Sequence, residues 1–110
     1  MRKLGICILL ISCLPTYAGA AQVFGSLKYG DRAVGQGVLV NVQCGDRAYP
    51  TKTNEYGSYG IYVRERKCTL AVYYENRWSR GYDIYPDDSD PVRYDFEMGW
   101  ENGTLVLWRK

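Results

Sequence analysis

The 110-residue chain contains no histidine. That removes Ser-His-Asp and Cys-His catalysis, imidazole zinc sites and histidine pH switching. It has little proline, four residues, and no excess of one charge: 14 Lys and Arg stand against 12 Asp and Glu. It also lacks an apolar run long enough to cross a bilayer. The longest covers residues 4–14, whereas a spanning helix needs about 20 residues. The length suits one domain and leaves no room for a catalytic domain beside a regulatory one.

What the first twenty residues hold is a targeting pattern. Met1-Arg2-Lys3 is basic, residues 4–14 are uncharged and mostly apolar, Pro15 breaks the run, and Ala18-Gly19-Ala20 supplies small residues. This order reads as a bacterial secretory signal, residues 1–20, cut after Ala20 or else Ala21. A competing feature is Leu10-Ile11-Ser12-Cys13, which is similar to a bacterial lipobox and would place a lipid anchor on Cys13. The preferred expectation is soluble export to the periplasm or the extracellular space. Losing Arg2 and Lys3 brings the cations to 12 against 12 acids, so residues 21–110 are formally neutral. A neutral exported chain is not expected to bind nucleic acid.

Two cysteines then remain, Cys44 and Cys68. An even pair in an exported chain reads as a disulfide. The alternative, a two-thiolate metal site, would need two further ligands and has no histidine to draw on. Closing this loop contributes roughly 3–4 kcal/mol on the chain-entropy model, which is useful to a domain with a limited core.

From Gln22 onward no helical period is found. Gly, Asn, Asp and Pro recur every few residues between β-branched and aromatic stretches. Val38, Val40, Val42 and Cys44 share one strand face, and Leu39, Asn41 and Gln43 share the other. Tyr59, Ile61 and Val63 form a second apolar set, and Cys68, Leu70, Val72 and Tyr74 a third. The longest runs through Val92, Tyr94, Phe96, Met98 and Trp100. Both cysteines carry the apolar parity of their strands, so the bridge is expected in or at the rim of the core. Asn54-Glu55-Tyr56-Gly57 reads as a turn and Asn102-Gly103 as a hairpin turn. With that two-residue turn, Trp100 pairs with Leu105 and Met98 with Leu107 on a buried face. Gly99 faces Val106 and Glu97 faces Trp108 on a half-open one. The fold expected is all-β: a seven- or eight-stranded Ig-like or transthyretin-like β-sandwich over residues 21–110 with one disulfide.

The stretch 25–82 resembles carboxypeptidase-regulatory-like domains, which share the transthyretin-type sandwich. Gly25-Ser26-Leu27 stands in the first strand and Gly37-Val38-Leu39-Val40-Asn41-Val42 in the second. Thr51-Lys52-Thr53-Asn54-Glu55-Tyr56-Gly57-Ser58-Tyr59-Gly60-Ile61-Tyr62-Val63 follows the family's turn-and-strand motif. Cys68-Thr69-Leu70-Ala71-Val72 and Gly81-Tyr82 complete the pattern. Here Cys68 stands where the family has an aromatic, Arg64-Glu65-Arg66-Lys67 replaces a Pro-Gly turn, and the hairpin over residues 98–108 lies outside the pattern. The resemblance implies an accessory, adhesive or carbohydrate-associated module on exported proteins rather than an enzyme. Fold likeness alone does not set function.

Candidate sites follow from composition. Tyr73, Tyr74, Trp78, Tyr82 and Tyr85 crowd a short stretch with Arg77 and Arg80, and a small core cannot bury them all. Tyr73, Trp78, Arg80 and Tyr85 are the expected ligand-binding residues, since aromatic rings beside Arg suit sugars or extended peptides. Val106 and Trp108 are the expected partner contact. Asp83, Asp87, Asp88 and Asp90 read as a solvated acidic turn before Pro91 in preference to a calcium site. No catalytic residue, metal site or cofactor is expected. The reading is a non-catalytic binding module of the bacterial envelope for a glycan or an envelope or secreted protein. The alternatives are a structural or assembly component and a secreted enzyme inhibitor.

Overall fold

A computed structural model describes residues 20–110. The expected signal segment and Cys13 lie outside the described residues. The rest is strand and turn, without a helix. No described helix is long and apolar enough to cross a membrane. Eleven strands are formed: β1 (Ala21–Tyr29), β2 (Arg32–Ala33), β3 (Leu39–Cys44), β4 (Arg47–Lys52), β5 (Ser58–Val63), β6 (Cys68–Tyr74), β7 (Arg77–Trp78), β8 (Tyr82–Ile84), β9 (Val92–Arg93), β10 (Phe96–Glu101) and β11 (Thr104–Arg109). Seven of these have six residues or more, matching the lower expected count.

They form two sheets. In the first, β1 is central. It pairs antiparallel with β5 and β2, and parallel with β9 and β10; β11 then pairs with β10. In the second the order is β4-β3-β6, and β6 carries both β7 and β8 on its far edge. The period-two pattern explains how they pack. Val23, Leu27, Val63, Phe96 and Met98 of the first sheet face Val40, Val42, Leu70, Val72 and Ile84 of the second in one buried cluster.

Cys44 and Cys68 are bridged, with their Cα atoms 4.3 Å apart. Gln43 pairs with Thr69, so the cysteines are direct neighbours across β3 and β6. Both are buried. The bridge therefore clamps two strands of one sheet and does not tie sheet to sheet. Such a bond persists in an oxidising compartment.

Local chemistry sets the turns. Between β4 and β5 the Asn54 carboxamide accepts the Tyr56 and Ser58 amides at 2.9 and 3.0 Å. Gly57 adopts φ 76° there, as its place in the turn requires. The β10–β11 register is the expected one, Gly99 against Val106 and Glu97 against Trp108, closed by Asn102-Gly103 with both φ positive. A second hairpin of the same kind joins β6 to β7 through Glu75-Asn76, with φ of 53° and 66°.

Beyond this hairpin one extra residue enters the chain. Tyr73 pairs with Trp78 and Leu70 with Tyr82, so three steps along β6 face four along its partner. This is a β-bulge. Ser79 donates its amide to the Val72 carbonyl and accepts the Val72 amide on its hydroxyl, at 2.7 and 2.9 Å. The Arg80 amide leaves the sheet and donates to the Leu105 carbonyl of β11 at 2.8 Å. The bulge thus joins the two sheets and reverses side-chain parity between Trp78 and Tyr82.

Candidate functional site

The parity reversal separates the crowded aromatics. Tyr82 turns inward and packs edge-on against Phe96 at 4.9 Å. Tyr74 lies half-buried, edge-on to Tyr29 at 5.5 Å. Trp78 stays on the outer face of the second sheet beside Tyr73, with ring centroids 5.2 Å apart. They are 49% and 38% exposed. Neither the Trp78 indole N–H nor the Tyr73 hydroxyl has a hydrogen-bond partner among the described residues.

Two of the four expected ligand-binding residues are therefore brought together and two are not. The Arg80 guanidinium points to Glu101 at the β10–β11 hairpin, 4.0 Å away, because the bulge carries Arg80 to that side. Tyr85 is exposed but follows Ile84, which pairs with Cys68 at the other end of β6. That is about 16 Å along the strand from Tyr73, at 3.3 Å per residue. Arg77 also leaves the cluster: it lies over the Trp100 ring at 6.0 Å and donates to the Gly103 carbonyl at 3.2 Å.

The expected partner contact is corrected in one half. Val106 is only 5% exposed. Trp108 lies across Gly99, its Cζ3 2.6 Å from where a glycine Cβ would stand, and Gly99 is the strand partner of Val106. Trp108 itself is 46% exposed. The buried-face expectation fails at Trp100, which is 37% exposed. It lies one position from the turn, and although its strand partner Leu105 is buried, the larger indole is not fully covered.

The residues missed are those beside Tyr73 on the same sheet face. Leu39 pairs with Tyr73, and Asn41 with Ala71 and Pro50. Asn41 is half-buried, and its carboxamide has no partner among the described residues. The signal was present in the sequence as the second parity of β3, Leu39, Asn41 and Gln43.

Elsewhere, polar groups engage one another. At the disulfide end, Arg47 and Glu65 border an open cleft of about 350 Å³ with Cys44 and Asp46. The Tyr49 hydroxyl donates to Glu65 at 2.8 Å, and this bond chiefly holds the Glu65 carboxyl below its usual range. In the acidic loop, Asp83 accepts the Thr69 hydroxyl, Asp87 accepts the Ser89 amide, and Asp88 pairs with Arg66 at 3.3 Å. The acids thus take separate partners, and no group of three metal-ligating side chains forms among the described residues.

No protein-family model matches the chain, and no curated protein matches its sequence. Solved structures do. One is the NMR structure of a protein from Eubacterium rectale, with a TM-score of 0.57 at 8% identity, covering 87% of this chain and 93% of that one. Another is the crystal structure of a DUF3823 family protein from Parabacteroides merdae, with a TM-score of 0.54 at 9% identity. It is matched over 84% of this chain, which spans 47% of that longer protein. Likeness at these identities is one of fold: the chain is a β-sandwich, bridged by its own Cys44–Cys68 disulfide, whose fold is similar to that of these two proteins.

Proposed function

We propose that this protein is a small non-catalytic binding module of the bacterial envelope, exported through residues 1–20, that meets its ligand with the outer face of the second sheet. The observation that carries the reading is the Tyr73–Trp78 pair. Two large rings touch each other, remain open to solvent and have no polar partner among the described residues. Aromatic side chains presented this way supply contact area at little entropic cost. The non-catalytic part rests on the composition, which lacks histidine, and on the engagement of Glu65 with Tyr49 and Arg47.

The test is capture from envelope extract by the protein beginning at Ala21, compared with its Trp78→Ala and Tyr73→Ala variants. A ligand retained by the parent and lost by both variants, with melting unchanged, supports the reading. Retention by both variants contradicts it. Trp108, half-exposed on the last strand, favours a second reading, an assembly component held through the β10–β11 hairpin. Loss of association on Trp108→Ala alone would favour it.

A further inference from the structure

The strand register makes the outer face of the second sheet legible row by row. The first row runs Lys52, Leu39, Tyr73, Trp78 across β4, β3, β6 and β7. The second runs Pro50, Asn41, Ala71. The third runs Ala48, Gln43, Thr69, Asp83. One cation and one anion stand at diagonally opposite corners, and everything between them is neutral.

We infer that this face binds a neutral carbohydrate chain, with Tyr73 and Trp78 as stacking platforms and Asn41 as the principal hydrogen-bonding group. Supporting it is the remaining hydrogen-bonding capacity of Gln43, which donates to the Gly45 carbonyl at 2.8 Å, and of Asp83, which accepts the Thr69 hydroxyl at 3.2 Å. The inference rests on the reading that this face is the contact surface, and it adds the ligand class and the residues beyond the aromatic pair. Charge is the first argument. A polyanion needs a run of cations, and only Lys52 is offered. Chemistry is the second. A pyranose ring has an apolar C–H face and a rim of hydroxyl groups. The rings of the first row match the former. A carboxamide donates and accepts at once, which matches the latter.

Asn41 is the third argument. It lies between Pro50 and Ala71, half-buried in a neutral strip, with neither end of its amide partnered among the described residues. An apolar partner surface would leave those groups desolvated and unsatisfied; sugar hydroxyls satisfy them. Extent is the fourth. The first and third rows are four residues apart along β3, about 13 Å. A ligand touching both is longer than a single sugar ring, so an oligosaccharide is bound and a monosaccharide is not.

The experiment uses the disulfide-bonded protein beginning at Ala21, with soluble β-glucan, xylan and mannan as neutral probes and alginate as the acidic one. Affinity electrophoresis and titration calorimetry provide the readout. At least one neutral polysaccharide binds with little dependence on salt. Trp78→Ala weakens it about tenfold or more and Asn41→Ala about threefold or more, both with unchanged melting. Tyr73→Ser serves as the second aromatic variant should Trp78→Ala misfold. Binding of alginate alone, or neutral binding that survives Trp78→Ala and Asn41→Ala, overturns the inference. If no polysaccharide binds but one protein is captured through Trp78, the inference falls and the binding-module reading stands. Self-association lost on Trp78→Ala likewise assigns the face to a second copy and overturns the inference. If neither sugar, protein nor copy depends on Trp78, both fall.

Discussion

The two outer faces of this sandwich are built from similar residues and behave differently. On the first sheet, polar and aromatic groups engage one another. Arg93 lies over the Phe24 ring at 5.7 Å and pairs with Asp95 at 2.8 Å. Asp95 also takes the Ser26 amide at 2.9 Å, Lys110 takes Glu97 at 2.8 Å, and Trp108 lies over Gly99. On the second sheet, Tyr73, Trp78 and Asn41 have no side-chain polar partner among the described residues. Exposure alone does not separate the faces, since Trp108 and Trp78 are almost equally open. What separates them is whether the side chain already serves the fold. A surface ring that covers a glycine stabilises its own sheet; one that touches only another surface ring is available to something else.

If that contrast is right, substitutions on the first sheet cost stability. The largest effect is expected at Gly25 of β1, where a Cβ would overlap the Tyr94 carbonyl and crowd the Asp95 carboxylate. Gly25→Ala is expected to lose about 3 kcal/mol or more, lowering the melting temperature by more than about 10 °C. Calorimetry decides it, and a shift within a degree or two would show that β1 and the β9–β10 segment are not so closely joined.

Next in size is the bridge that clamps β3 to β6 on the second sheet. Replacing Cys44 and Cys68 by Ala is expected to cost about 3 kcal/mol, read by denaturant unfolding. Thiol labelling of the denatured, unreduced parent should find no free thiol in residues 21–110; two labelled thiols would refute the bridge.

Asp95 gives a smaller, pH-dependent effect. Partial burial raises its pKa, but Arg93 and the Ser26 amide and hydroxyl outweigh this, so the carboxyl lies below its ordinary 3.8. A lowered native pKa contributes stability above the unfolded value, and that contribution is lost as pH falls through the native one. Asp95→Asn is therefore expected to cost about 1 kcal/mol at neutral pH, after allowance for solvent screening. The difference from the parent should shrink as pH drops below about 4. A difference constant from pH 7 to pH 2 would mean that the carboxylate charge contributes nothing.

Much of the fold was legible because burial follows strand parity. The apolar faces of β3, β5, β6 and β10, the pairing of Cys44 with Cys68 and the register around Asn102-Gly103 all follow from period two and one strong turn signal. The candidate site was less legible because it depends on interruptions of that period. Glu75-Asn76 makes a left-handed turn without glycine, so the β6–β7 hairpin carries no strong signature. The bulge after Trp78 then places Trp78 outside and Tyr82 inside, although four residues of uninterrupted strand would put both on one face. Arg80 and Tyr85 are close to Trp78 in sequence, but the bulge and the length of β6 separate them in space. Val106 and Trp100 exchanged expected exposures for a related reason. Parity marks a face, but cover depends on what else reaches it: Trp108 covers the Gly99–Val106 rung, and Trp100 near the turn stays partly open although Arg77 lies over its ring.

The contrast between the faces is tested most directly by two matched variants, Trp108→Ala and Trp78→Ala, each measured for melting and for ligand retention. Trp108→Ala is expected to lower stability by about 1–2 kcal/mol, through lost cover over Gly99 and Val106, and to leave retention unchanged. Trp78→Ala is expected to leave stability within about 0.5 kcal/mol, as for a surface residue, and to abolish retention. The opposite pattern, with Trp78→Ala lowering the melting temperature and Trp108→Ala removing the ligand, would contradict the account.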